Sequence, residues 1–247
     1  MNKRLKDRDA FYGGRVICAK LYHKANYEIG ERIFYMDFTS LYPTVNKYCK
    51  YPIGHPINIR IGNKECEGFE KMNGIIKCKV LPPNDLYHPV LPYRSNGRLV
   101  FHLCRSCAEA ENNEDCNHNN EERSFIGTYV IDEVVLALTK GYKVIECFEI
   151  YEYLVTQYNP KTDEGGLFTE YVNSFLKIKQ TASGWPRDNM TEVGKLQYIT
   201  DYFEHEKVQL NYNEIDYNPI LRALAKLLLN SLWGKFGQRS NMTQTTF

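Results

Sequence analysis

One short stretch, from Ile33 to Tyr48, limits what this chain can build more than any other. Ile33, Phe34, Tyr35 and Met36 form an apolar run free of Gly and Pro, the length of one buried strand and too short for a typical helix. Asp37 ends the run. Thr39 or Ser40 can cap a following helix through a side-chain oxygen, and Pro43, with no N–H to lose, is tolerated in its first turn. A helix is therefore expected over about Leu41 to Tyr48. Such a junction puts a carboxylate beside unpaired amides and the positive end of a helix dipole, where a polyphosphate and a hard cation can share a site. An Asp that merely caps the helix fits the same residues, and both readings stay open at this level.

The 247 residues are 43% hydrophobic and 25% charged, enough to bury a core as one large or two smaller globular units. That excludes a disordered tail. A formal net charge of +1 leaves nucleic acid and small molecules both open as partners, because a local basic groove can hide in a neutral total. No apolar run approaches the roughly 20 residues that span a bilayer, and no hydrophobic segment follows the opening MNKRLKDRDA to make a signal peptide. The expectation is a soluble, intracellular protein with no membrane partner. Its eight cysteines should stay reduced, so clustered ones read as metal ligands rather than disulfides.

Apolar runs predict strands at Arg15 to Leu21, Arg32 to Met36, Gly74 to Leu81, Leu99 to Leu103 and Tyr142 to Tyr153. Gly127 to Lys140 should hold a short helix. Helical spacing continues over Leu167 to Thr181, with Phe168, Tyr171, Val172, Phe175 and Ile178 in step, and over Thr191 to Lys207. Strands around Asp37, an irregular middle and a helical end predict an α+β arrangement in which the helices form a separate lobe.

Asn218-Pro219 reads as a helix start, an N-cap followed by proline at the first helical position. In the helix it opens, Ile220 to about Phe236, Arg222, Lys226 and Asn230 recur every four residues on one stripe. Leu221, Leu224, Leu228 and Leu232 line the opposite side. Two cations and an amide suit a triphosphate, and Lys177 and Lys179 can add to them if the two helices pack side by side. A solvated basic face fits the same pattern. In the middle, Cys104-x-x-Cys107 followed by Cys116-x-His118 offers four ligands suited to tetrahedral zinc, with His102 as a substitute. Glu109, Glu111, Glu114 and Asp115 between them repel phosphates, so a zinc knuckle here would staple the loop rather than read DNA. Coincidentally clustered reduced cysteines are the alternative.

Taken together the motifs resemble those of family B DNA polymerases. Asp37 through Pro43 (DFTSLYP) resembles the first polymerase motif and Lys226 through Gly234 (KLLLNSLWG) the second, in the family's order. Phe11-Tyr12-Gly13-Gly14-Arg15 is similar to the aromatic-x-Gly-Gly loop of the protein-primed branch, found in phages, viruses, organellar plasmids and large eukaryotic DNA transposons. That resemblance implies an antiparallel palm sheet with helices, helical fingers and an inserted zinc-knuckle-like subdomain. Residues 1–53 would hold the template loop and first part of the palm. Residues 54–153 would form an insertion facing a terminal priming protein, with a return to the palm, and 154–247 the fingers.

By the same resemblance Asp37 would be the catalytic carboxylate and a Mg²⁺ ligand. Phe38, Ser40, Leu41 and Tyr42 would lie at the incoming dNTP, with the Tyr42 ring excluding a 2′-hydroxyl. Arg222 and Lys226 would grip the triphosphate and Asn230 the nascent base pair. Phe11, Tyr12, Gly13, Gly14, Lys179, Trp233 and Gly234 would meet primer-template DNA; Trp233 departs from the family's usual tyrosine. The second carboxylate of a two-Mg²⁺ site comes, in the family, from a downstream Tyr-x-Asp-Thr-Asp motif that this sequence lacks, and no exonuclease domain precedes Phe11. Tyr198-Ile199-Thr200-Asp201 looks faintly like that motif but precedes the second one, and reads as ordinary helix. The expectation is a palm-and-fingers piece of a longer polymerase, of nuclear, viral or mobile-element location. A non-catalytic zinc-containing nucleic-acid or protein-binding module is the rival.

Overall fold

A strict alternation along Ile76, Cys78 and Val80, all fully buried, marks the strand around which the first half of the chain is organised. The computed structural model describes residues 4–16, 18, 20–112 and 114–237. In chain order these form α1 (Leu41–Tyr48), β1 (Tyr51–Ile61), β2 (Gly74–Leu81), β3 (Pro92–Ser95), β4 (Arg98–Phe101), α2 (Arg105–Ala110), α3 (Asn120–Arg123), β5 (Phe125–Val130), α4 (Ile131–Thr139), β6 (Lys143–Thr156), α5 (Thr169–Thr181), α6 (Glu192–Glu206) and α7 (Pro219–Gly237). They divide into two units, 1–24 with 52–155, and 25–51 with 156–247. Residues 1–24 thus pack with 52–155, whereas 25–51, which carry Asp37 and α1, pack with the helices.

The first unit holds a four-stranded sheet in the order β1-β6-β2-β5, with β2 antiparallel to both β5 and β6. One face packs Ile76, Cys78, Val80, Phe125, Tyr129 and Ile150 against Ile131, Val134 and Ala137 of α4. On the other, Leu5 and Ala10 cover Ile75, Val130, Tyr151 and Tyr153. The short helix expected within Gly127 to Lys140 is α4, in the second half of that stretch. Ile126, Thr128 and Val130 favour an extended chain, and a Cβ at Gly127 would lie 2.0 Å from the Tyr129 hydroxyl, so this glycine makes room for that ring within β5. The unexpected β1 carries Pro52 and Pro56, which a sheet tolerates only at its edge, where the strand order puts it.

Two predicted strands are absent. Arg32 to Met36 is extended but outside any ladder, with Tyr35 93% exposed, because a strand exists only as a pair and this run finds no partner among the described residues. Of the run Arg15 to Leu21, Ile17 and Ala19 lie outside the described residues, and Val16 and Leu21 are exposed coil.

The second unit is helical, as expected. Asn218 caps α7, its Oδ1 accepting the Leu221 amide at 3.0 Å, and Thr191 caps α6 through Gly194 N at 3.2 Å. Helix α7 packs on α5, and α1 packs on both. Lys47 of α1 is 1% exposed; its Nζ donates to the Glu206 carbonyl at 2.6 Å and lies 5.3 Å from the Tyr48 and Tyr158 ring centres. Lys47→Ala should destabilise this unit by about 2–3 kcal/mol through lost stem packing and an orphaned carbonyl. A lower urea midpoint checks this, and an unchanged midpoint would make the buried stem energetically idle. Among the described residues no helix is long and apolar enough to cross a membrane.

Candidate nucleotide and nucleic-acid site

Helix α1 begins and ends where the sequence placed it, but its cap is unusual. Ser40 sits at φ 59°, a left-handed conformation that non-glycine residues rarely adopt, and its side chain makes no capping bond. Its carbonyl instead accepts both the Thr44 amide (3.0 Å) and the Thr44 hydroxyl (2.9 Å). Strain therefore lies directly beside Asp37, Phe38, Leu41 and Tyr42, all of them exposed. Asp37 engages no hydrogen bond or ion pair among the described residues. It is not strand-terminal, and it does not cap α1; that role falls to Ser40.

The cationic stripe of α7 assembles with α5. Asp216 N donates to Thr181 O (3.2 Å) and Asn218 N to Ala182 O (2.9 Å), tying the start of α7 to the end of α5. Arg222 Nε then donates to Ser183 Oγ at 3.2 Å, and that hydroxyl donates to Lys179 O at 2.7 Å. Lys179 is held below the ordinary lysine pKa by burial, then by the charges of Arg222 and Lys226, with Glu206 opposing. Lys179, Arg222 and Lys226 thus share one electrostatic neighbourhood. Lys177 faces elsewhere, lining a surface hollow with Leu196, Ile199 and Tyr212.

The buried side of α7 is not the leucine row read from the sequence. Ala225 and Leu229 are buried, while Leu221 and Leu224 are 41% and 50% exposed. A small Ala225 lets α5 approach closely, so the seam lies beside the cationic stripe and not opposite it. Asn230 and Gly234 are exposed, and Trp233 meets Tyr51 edge-on at 6.0 Å.

In the first unit, the Phe11-Tyr12-Gly13-Gly14-Arg15 segment is held from below. The Tyr12 ring stacks on Tyr129 at 5.9 Å, its hydroxyl donates to Thr128 O at 3.0 Å, and burial pushes that phenol up to about 12. Arg94 lies 4.6 Å over the other side of the ring and donates to Phe11 O at 3.2 Å. Arg15 donates to Pro89 O at 2.6 Å and caps Phe101 at 4.6 Å. Tyr12 therefore anchors the loop, leaving Phe11, Gly13 and Gly14 as its open surface. Nothing lies within 4 Å of a Cβ at Gly13, Gly14 or Gly234, and none has a left-handed φ. The fold does not require these glycines; a backbone that something else approaches closely would. No motif points to Arg94, which sits in the short hairpin strand β3.

Among the described residues, one group of three or more potential metal ligands converges, Cys104, Cys107, Cys116 and His118, with all donor atoms within 4.8 Å of one another. Hydrogen bonds from the His118 backbone and ring pull the Cys116 thiol down to about 7. His102 is not in the group. Its Nδ1 accepts the Cys104 amide at 3.1 Å, and burial lowers its pKa to about 4. The remaining cysteines, Cys18, Cys49, Cys66, Cys78 and Cys147, are unpaired thiols in the core or on the surface.

Two solved structures are similar to this chain. One is phi29 DNA polymerase in an orthorhombic crystal form, at 17% identity and a TM-score of 0.43. The other is phi29 DNA polymerase complexed with primer-template DNA and incoming nucleotide substrates, at 20% and 0.37. Each match covers 81% of this chain and 25% of the other, so the chain spans about a quarter of those proteins. No curated protein matches. The family described as DNA polymerase type B, organellar and viral, matches residues 6–196 and 196–247, nearly the whole length, and the chain belongs to it.

Proposed function

We propose that this chain supplies palm and fingers elements of a DNA-directed DNA polymerase, binding dNTP and primer-template DNA. The observation that carries the reading is the gathering of Lys179, Arg222 and Lys226 on one flank of the α5–α7 pair, where burial and then the charges of Arg222 and Lys226 lower the proton affinity of Lys179. A fold gains nothing by collecting cations; a polyanion repays it. Arg222 and Lys226 take the triphosphate, Asn230 lies at the base pair, and the exposed Tyr42 ring bounds the sugar. Phe38, Ser40 and Leu41 contribute backbone and side-chain atoms beside Asp37.

Asp37, a free hard ligand in an exposed turn, fits one Mg²⁺. When bound, the metals supply charge stabilisation at the entering and leaving oxygens. Phe11, Gly13 and Gly14 in the sheet unit, and separately Trp233 and Gly234 in the helical unit, are read as DNA-facing residues, with Lys179 adding charge to the helical unit. Residues 54–153 are read as the insertion that faces a priming protein, and the Cys/His quartet within them as a zinc site. A viral or mobile-element setting is our reading of its location, and the family's description as organellar and viral supports the viral part of it.

Titration with a non-hydrolysable dNTP tests the site. Arg222→Ala and Lys226→Ala should each weaken binding about tenfold, the loss of one charge-assisted contact of about 1.4 kcal/mol. Thermal stability should stay unchanged. A double variant that binds as tightly as the parent would remove α7 from the nucleotide site.

A further inference from the structure

The Cys/His quartet and the Phe11–Arg15 loop lie in the same unit, and a continuous set of contacts joins them. The donor geometry comes first. Zinc bonds of about 2.3 Å to sulfur and 2.0–2.1 Å to nitrogen put tetrahedral S and N donors about 3.6 Å apart. His118 Nδ1 lies 3.5, 3.3 and 3.5 Å from the sulfurs of Cys104, Cys107 and Cys116. The Cys107 amide also points at Cys104 Sγ, at 3.4 Å, as an amide does toward a thiolate. The segment has little else to hold it. Helix α2 has six residues, too few to be stable alone, and Glu111, Glu114, Asp115 and Cys116 are exposed.

What α2 holds in turn is the β3–β4 hairpin. Tyr93 Oη donates to Glu109 Oε1 (2.8 Å), Ser95 Oγ to Ala108 O (3.3 Å) and Asn96 Nδ2 to Glu109 O (3.2 Å), and Arg98 pairs with Glu111 (3.6 Å). Every one of these partners lies within four residues of Cys107. The hairpin then presents Arg94 to Phe11 and Tyr12, and Phe101 to Arg15.

We propose that Cys104, Cys107, Cys116 and His118 bind one Zn²⁺, and that this ion fixes the β3–β4 hairpin and, through Arg94 and Phe101, the shape of the Phe11–Arg15 loop. The hairpin meets the sheet core through Tyr93 on Phe125 at 5.3 Å, and the metal would hold the side that α2 covers. It acts at a distance on the loop, as a positioning element, and contacts no substrate. The zinc site stands independently of the polymerase reading; only the DNA consequence rests on it.

Metal analysis of the purified chain should give one zinc per molecule. Cys116→Ser and His118→Ala should lose it, while Cys18→Ser and Cys49→Ser, at exposed thiols outside the quartet, should keep it. Cobalt exchanged into the site should give the thiolate charge-transfer and strong d–d bands of a tetrahedral centre. Hydrogen exchange on the wild-type chain, zinc-loaded against chelated and then reloaded, reads the coupling without a variant that must fold. Amides of 92–101 and 11–15 should exchange at least tenfold faster without metal and recover on reloading, with β2 unchanged. A zinc-free chain, or Cys116→Ser that retains zinc, overturns the site. Loosening confined to 104–118 overturns the coupling. Loosening that extends equally through β2, β5 and β6 overturns it too, since the metal would then hold the whole unit. If exchange behaves as expected but chelation leaves DNA affinity untouched, the staple stands and the assignment of this loop to DNA fails.

Discussion

Asp37→Asn in the full-length gene product should reduce primer extension by about 10³-fold or more while leaving the melting temperature unchanged. Both halves follow from its surroundings. The carboxylate is exposed and engages no partner among the described residues, so an isosteric amide costs the fold within about 0.5 kcal/mol. Phosphoryl transfer, in contrast, leans almost entirely on positioning and charge, and an amide removes the charge that would hold a hard cation at the proposed site. Loss of one preorganised electrostatic element in such a site costs on the order of 10²–10³, and loss of a metal ligand at least that. Asp201→Asn is the matched control, since Asp201 is exposed on α6 within a stretch that only superficially resembles a polymerase carboxylate motif. Equal extension by wild type and Asp37→Asn would take Asp37 out of the catalytic centre.

Above pH 10 the folded chain should lose stability steeply. Burial raises the phenols of Tyr12, Tyr51 and Tyr93 from 10 to about 12, and those of Tyr129, Tyr158 and Tyr202 upward as well. A folded pKa above the unfolded one means that the native state holds its proton where the unfolded state has released it. The stabilisation is therefore complete below pH 10 and falls as pH climbs toward and past 12. A well-buried tyrosine adds up to about 1.4 kcal/mol per pH unit to the decline. Tyr12 and Tyr93 belong to the sheet unit and Tyr51 to the helical one, so both should be affected. Tyrosinate absorbance rising together with loss of circular dichroism would bear this out. Smooth titration near pH 10 with the fold intact would show that these rings are wet.

The sequence and the structure part company for physical reasons that differ by residue. Leu41–Tyr48, Gly74–Leu81 and the start of α7 were legible because caps, prolines and alternation are local signals, and local signals survive folding. Ile33 to Met36 has the composition of a strand, but pairing is a property of two segments and no residue in one can declare the other. In β1, Pro52 and Pro56 obscured a strand that is tolerable only because it lies at an edge, and edges are not written locally. The motifs named Tyr12 and Lys226 alike, yet one is turned into the sheet and the other left open. Cysteine and histidine spacing alone picked out Cys104, Cys107, Cys116 and His118, and the structure adds why the substitute His102 stays out: its Nδ1 already accepts the Cys104 amide.

The lowered proton affinity of Lys179 has a consequence for how an anion would be felt at α5 and α7. Burial comes first in lowering it, but the charges of Arg222 and Lys226 contribute, and a phosphate at the proposed site would offset that repulsion, so that occupancy and protonation would favour each other. Binding then takes up hydrogen ions wherever the empty site has begun to lose them. Affinity should decline with rising pH sooner than the titration of an ordinary lysine would dictate.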